Sequence, residues 1–366
     1  MNRRDFAALL AAGAMPSYAF SEPTQPALKT LGAAKGLRVG SAMGMPTYSD
    51  RRYRELLARE CATLVTENEC KWQYVSPKHG EWQFDAADEL LGWAAKQGLM
   101  RRGHCLVWQP TKWLPQWVNE YDFGTQPALT AEKLLTERIN GMMKRYGSQI
   151  YSWDVVNEAI EPKTGEYRDT VLARAMGTVD QLDFCFRLAR EQAPKAQLVY
   201  NDFMHWNTGS AKHRAGVLKL LHALKAKGTP VDALGLQSHI GADEGDDRQQ
   251  EWRKFLDEVS GMGLQLLITE FDVNDRTLPA DIAARDAGVA AMTRDYLDVT
   301  LSYTNLTDFL FWGLTNNTSW LQSHSTDSMR KDKLPLRCCP FDDAYQPTAI
   351  HDAVAASLRS MPVRRS

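Results

Sequence analysis

The chain has 366 residues, 44% of them hydrophobic, and a formal net charge of −2. That length holds one large domain or two small ones, and about 250 residues suffice for a single α/β barrel. The balanced charge leaves no basic footprint for nucleic acid and no polybasic patch for a membrane surface.

The first stretch reads as an address. Asn2-Arg3-Arg4-Asp5-Phe6 precedes a short Ala/Leu run and Ser17-Tyr18-Ala19. Twin arginines, a brief apolar segment and a small-residue cleavage site predict a twin-arginine export signal. The apolar run is too short to span a bilayer as a stable helix. Residues 1–26 are therefore assigned to the signal and a short linker, and 27–366 to one domain. The expected location is the periplasm or the exterior.

Strands and helices then alternate. Leu37–Ala42 reads as a strand and Arg51–Cys61 as a helix with Tyr53, Leu56, Leu57 and Cys61 on one face. Ala62–Thr66 is a strand ending in Glu67-Asn68-Glu69-Cys70-Lys71-Trp72. Phe84–Gln97 is a helix with Asp85 as N-cap and Gly98 as its stop. Met100–Trp108 is a strand, Thr130–Tyr146 an amphipathic helix, and Trp153–Glu158 a strand. A helix over Asp180–Gln192, a strand over Ala196–Tyr200 and a helix over Lys212–Lys227 follow. Next come a strand at Asp232–Leu236, a helix at Gln249–Val259 and the strand Leu266–Val273. A long helix over Ala280–Ser302, a strand at Asp308–Gly313 and a helix at Thr348–Arg359 complete the chain.

Eight strand-then-helix units imply a closed parallel (β/α)8 TIM barrel, an α/β fold. An open doubly wound sheet would carry a Gly-rich phosphate turn after an early strand, and none is present. The six cysteines show no repeated metal-binding spacing. Cys61, Cys70, Cys105 and Cys185 lie among apolar residues and are expected as buried free thiols.

In such a barrel every strand's C-terminal end faces one site. Those ends supply Glu67, Asn68 and Lys71, then Trp108, then Asn157 and Glu158, then Asn201, then Gln237 and His239, then Glu270 and Asp272, then Trp312. A carboxylate at a strand end is ordinarily a solvated or paired charge. Here acids, amides and indoles converge, which is the inventory of a sugar site. Two acids suit glycoside hydrolysis, hydroxyl partners hold the sugar, and flat apolar faces hold the ring.

The motifs resemble glycoside hydrolase family 10, the endo-β-1,4-xylanases. They are Glu67-Asn68 with Lys71-Trp72, Gly103-His104-Cys105-Leu106-Val107-Trp108, Trp153-Asp154-Val155-Val156-Asn157-Glu158-Ala159, Asn201-Asp202, Leu236-Gln237-Ser238-His239, Ile268-Thr269-Glu270-Phe271-Asp272 and Trp312-Gly313-Leu314-Thr315 with Ser319-Trp320. They run in order over about residues 35–350. The resemblance implies a retaining double displacement on internal bonds of xylan, with Glu270 as nucleophile and Glu158 as acid/base. The carboxyls would then stand roughly 5–5.5 Å apart. It implies that His239 and Asp272 hold Glu270, and that Asn157 binds the sugar's 2-hydroxyl. Gln237 would border the −1 subsite, and Glu67, Asn68 and Lys71 would bind hydroxyls on the glycone side. Trp108, Gln109, Trp312 and Trp320 complete the expected substrate-binding set. No metal or organic cofactor is needed. The expected partner is xylan or a xylo-oligosaccharide, without nucleic acid or stable membrane insertion, and the chain is expected to be a monomer.

Three departures from the family pattern concern substrate preference. Gln109 stands where the family has His, in a segment about two residues longer than usual. Phe203-Met204 replaces the usual Tyr and Asn, and Asn316 replaces a common Asp. They motivate an alternative reading, a retaining β-glycosidase acting on xylo-oligosaccharides, aryl glycosides or another β-glycan. A non-catalytic sugar-binding barrel would be marked by loss of the acid at 158 or 270, and both are present.

Overall fold

The computed structural model describes residues 26–241, 248–323 and 329–364. The expected export signal lies outside the described residues. Among the described residues no helix is long and apolar enough to cross a membrane.

The strands are β1 (Arg38–Met43), β2 (Thr63–Thr66), β3 (Met100–Trp108), β4 (Ser152–Asn157), β5 (Gln197–Asp202), β6 (Ala233–Leu236), β7 (His239–Gly241), β8 (Gln265–Asn274) and β9 (Leu306–Phe311). All pairs are parallel, β1 joins both β2 and β9, and β6 joins both β5 and β8. Leaving aside β7, the other eight close into a barrel. Sequence periodicity does not anticipate β7. It is three residues long and pairs with the far end of β8, His239 opposite Asp272.

Helices wrap the outside, and the main apolar cluster fills the layer between them and the strands. Smaller clusters plug the barrel, among them Val199, Ala233 and Leu267. Most helix starts shift by one to three residues from expectation, and two of the shifts have a clear cause. Asp85 is the first residue of its helix rather than the cap, where with Asp88 it complements the positive N-terminal end. The helix expected from Thr130 begins at Pro127, because a proline at the first helical position loses no hydrogen bond.

Close contacts fix two glycines. A Cβ on Gly103 would lie 2.2 Å from the Trp153 ring, its register partner on β4. A Cβ on Gly235 would lie 2.2 Å from Asn201 Oδ1. Both contacts are far inside van der Waals distance. All six cysteines are buried free thiols, so Cys338 and Cys339 join the four expected to be so.

Candidate active site

The strand ends open into a cleft of about 650 Å³. Glu67, Asn68, Lys71, Trp108, Asn157, Glu158, Gln237, His239, Glu270, Asp272, Trp312 and Trp320 all line it. Gln109 does not, which corrects its expected place among the sugar ligands. Neighbouring residues at a strand end point to opposite faces. Trp108 takes the cleft side, so Gln109 turns into the protein, where it is 1% exposed.

The two candidate acids sit in one hydrogen-bonded cluster. Asn201 Nδ2 donates to Glu270 Oε1 at 2.8 Å and to Asn157 Oδ1 at 2.9 Å. Gln237 Nε2 donates to Glu158 Oε1 at 3.0 Å and to Asn157 Oδ1 at 3.2 Å. Gly235 leaves the room in which Asn201 reaches Glu270. Glu158 has φ 59°, a left-handed conformation that side chains other than glycine rarely adopt. The ladder stops at Asn157, and this turn sets Glu158 in the cleft wall. Strain of this kind persists where surrounding contacts over-determine it, commonly at functional sites.

The acids are pushed in opposite directions. Burial raises the Glu158 carboxyl above its ordinary range, and the charges of Asp202 and then Glu270 add to it. Burial would raise Glu270 too, but a hydrogen bond from His239 and the charges of His104 and His239 bring it below the ordinary range. His239 Nε2 lies 3.2 Å from Glu270 Oε2, and its Nδ1 lies 2.9 Å from Asp272 Oδ2. Burial disfavours the imidazolium, yet the Asp272 and Glu270 carboxylates lift its pKa from 6.5 to about 10. The site therefore favours the protonated form of Glu158 and the ionised form of Glu270, beside a His239 that is cationic at neutral pH. Trp320 Nε1 donates to the same Asp272 oxygen at 2.7 Å, anchoring the relay from above.

Two participants were missed as site residues in the sequence. His104 lines the cleft, packs edge-on to Trp312 at 5.1 Å and stands 3.9 Å from Glu270 Oε1. Its Nδ1 is 2.8 Å from Asp154 Oδ2, and Arg102 pairs with the same buried carboxylate. A lone histidine beside Arg102 in a largely apolar strand is a signal, but its partner Asp154 is 50 residues away in the chain. Asp202 sits behind Glu158, with Tyr200 Oη at 2.5 Å and His213 Nε2 at 3.0 Å. Its charge raises Glu158 more than that of Glu270 does.

On the β2 side, Lys71 Nζ donates to Asn68 Oδ1 at 2.9 Å and lies 4.4 Å over the Trp108 ring. Trp113, in the lengthened segment, stacks on Trp108 at 4.6 Å and 10°. Burial also raises the Glu67 carboxyl, against the pull of Lys71. Asn316 accepts the backbone N–H of Cys338 and of Cys339, each at 2.9 Å, so this departure serves the wall beneath Trp320 rather than the sugar.

Comparison with known proteins agrees with this geometry. The sequence profile of Glycosyl hydrolase family 10 matches residues 27–357. Endo-1,4-beta-xylanase B of Paenibacillus barcinonensis is 33% identical over 285 residues, 74% of this chain and 82% of that protein. Endo-1,4-beta-xylanase 2 of Claviceps purpurea is 30% identical over 353 residues, 96% of this chain and 97% of that one. Native xylanase 10B from Thermotoga maritima superposes with a TM-score of 0.81 at 26% identity, covering 91% of this chain and 98% of its own. Xylanase 10B from Thermotoga petrophila RKU-1, solved with xylobiose, gives 0.81 at 26% identity, covering 92% and 98%. With the profile spanning nearly the whole described barrel and relatives of this identity, the chain belongs to glycosyl hydrolase family 10.

Proposed function

We propose that the protein is a retaining endo-β-1,4-xylanase that cleaves internal bonds of xylan by double displacement. The observation that carries this reading is the pair of buried acids in one cleft, their proton affinities pushed in opposite directions. Ionised Glu270 attacks the anomeric carbon while protonated Glu158 gives its proton to the departing glycosidic oxygen. Cationic His239, held by Asp272, keeps Glu270 ionised and oriented. Once Glu270 is esterified its negative charge is gone. The upward push it exerted on Glu158 goes with it, and Glu158 becomes a better base for the incoming water. Asn157, fixed by Asn201 and Gln237, faces the sugar at the reacting ring. Glu67, Asn68 and Lys71 take glycone hydroxyls beside Trp312 and Trp320.

Leaving-group dependence tests the roles. Glu158→Ala is expected to slow xylan hydrolysis by about 10²–10⁴-fold, the usual range for general acid catalysis. An aryl xyloside whose leaving group needs no proton should lose far less in its glycosylation step. Equal losses on the two substrates would remove the acid role from Glu158. Residues 1–26 are proposed to direct export of a monomeric catalytic domain starting near residue 27. Replacing Arg3 and Arg4 by Lys should hold the protein in the cytoplasm, and export at the original level would contradict the signal.

A further inference from the structure

The turn that carries Glu158 has each of its backbone polar groups held. Glu158 N–H donates to Asn201 O at 2.9 Å, and Ala159 N–H donates to Tyr200 Oη at 3.0 Å. The two carbonyls are both taken by one residue. Arg168 Nε donates to Glu158 O at 2.9 Å, and the Arg168 backbone N–H donates to Ala159 O at 2.9 Å. A glutamate at φ 59° needs such pinning, because left-handed backbone is not its own preference.

Arg168 arrives from a small hairpin. Ile160 bridges Tyr167 in antiparallel fashion, and Glu161 N–H donates to Glu166 O at 2.8 Å. Ile160 is fully buried, which beds the hairpin in the protein. The guanidinium is pinned in turn, with Nη1 2.7 Å from Glu161 Oε2 and the side chain 16% exposed. Its planar fork is pre-organised, so it loses little freedom for each bond it makes. The Glu158 carboxyl takes its bonds from neutral amides instead, Gln237 at 3.0 Å and Asn157 at 3.2 Å to Oε1. A guanidinium paired with that carboxyl would favour the ionised form and oppose proton donation. Arg168 bonds the backbone oxygen, and its charge is matched by Glu161.

We propose that Arg168 is a positioning residue for the acid/base. It clamps the Glu158 turn so that the carboxyl keeps its aim at the glycosidic oxygen. The proposal rests on the xylanase reading above and deepens it. Without the clamp the turn relaxes toward conformations that side chains prefer, and the carboxyl shifts from the leaving oxygen. Glu270 stands on β8, outside this turn, so the loss falls on proton donation and not on nucleophilic attack.

Arg168 also lines the cleft, so the test varies the leaving group and keeps the glycone constant. It measures kcat/KM, which reports the glycosylation step, for aryl β-xylobiosides from phenyl to dinitrophenyl. The proteins are the unsubstituted enzyme, Arg168→Ala, Arg168→Lys and Glu158→Ala. Arg168→Ala should lower the phenyl value about 10²-fold, the usual cost of misplacing a reacting group by about 1 Å. The dinitrophenyl value should fall less than about threefold, because that leaving group departs without a proton. Arg168→Lys keeps a charge beside Glu161 without the fork and should show a smaller loss of the same selective kind. It carries the comparison if Arg168→Ala does not fold. Equal losses across the leaving groups would make Arg168 a general structural or binding residue and overturn the clamp. Glu158→Ala separates the two readings. A selective loss there with a uniform loss in the Arg168 variants overturns the clamp alone, whereas a uniform loss in Glu158→Ala overturns the acid role and the clamp with it.

Discussion

Replacing His239 by Gln removes a buried cation from between two carboxylates, and the consequence can be worked out with its sign. The imidazole is 15% exposed and touches Asp272 at 2.9 Å and Glu270 at 3.2 Å. Its pKa is about 10 in the folded protein against 6.5 for an unperturbed histidine. A folded pKa raised above the unfolded one stabilises the fold fully below the unfolded value. That stabilisation is lost as pH rises through the folded value. At about 1.4 kcal/mol for each tenfold change in proton affinity, the interval from 6.5 to about 10 corresponds to about 5 kcal/mol. Urea denaturation of both proteins across this range measures it. The stability gap should be widest near pH 6, shrink steadily above it and nearly close near pH 10. The variant should also lose about 10²–10³-fold in kcat on every substrate, as expected when a charged hydrogen-bond donor leaves the reacting group. A gap that stays constant with pH, or grows toward the alkaline side, would refute the assignment of a cationic His239.

Three further outcomes are expected. Asp202→Asn removes the largest charge acting on Glu158, so the alkaline limb of the kcat/KM profile should move to lower pH. An unmoved limb would show that burial alone sets Glu158. Gly235→Ala places a methyl 2.2 Å from Asn201 Oδ1 and should cost about 1–3 kcal/mol in stability, with a fall in kcat as Asn201 is driven off Glu270. Unchanged melting and turnover would contradict that packing. Glu270→Ala should abolish turnover of xylan and aryl xyloside alike, and a residual rate on the aryl substrate matching that of Glu158→Ala would contradict its separate role.

The barrel was legible because each strand and helix writes its own period. Met100–Trp108 shows its strand within nine residues, and Gly98 with φ 70° marks where the preceding helix stops. The acids were legible for a related reason. A barrel sends every strand end to one face, so Glu158 and Glu270 converge without any knowledge of distance. What stayed hidden depends on pairs far apart in the chain. His104 gains its meaning from Asp154, and Glu158 is raised by an aspartate on the neighbouring strand. Gln109 was misplaced because a motif gives position along a strand, while the face is decided by its neighbour Trp108.

The most direct test of the central claim is proton NMR of the purified protein acting on xylohexaose, following product anomers and sizes from the first minutes. The account predicts internal cleavage with the β-anomer formed first, since displacement by Glu270 and then by water retains configuration. Early α-anomer would mean single inversion at the anomeric carbon and would remove Glu270 as nucleophile.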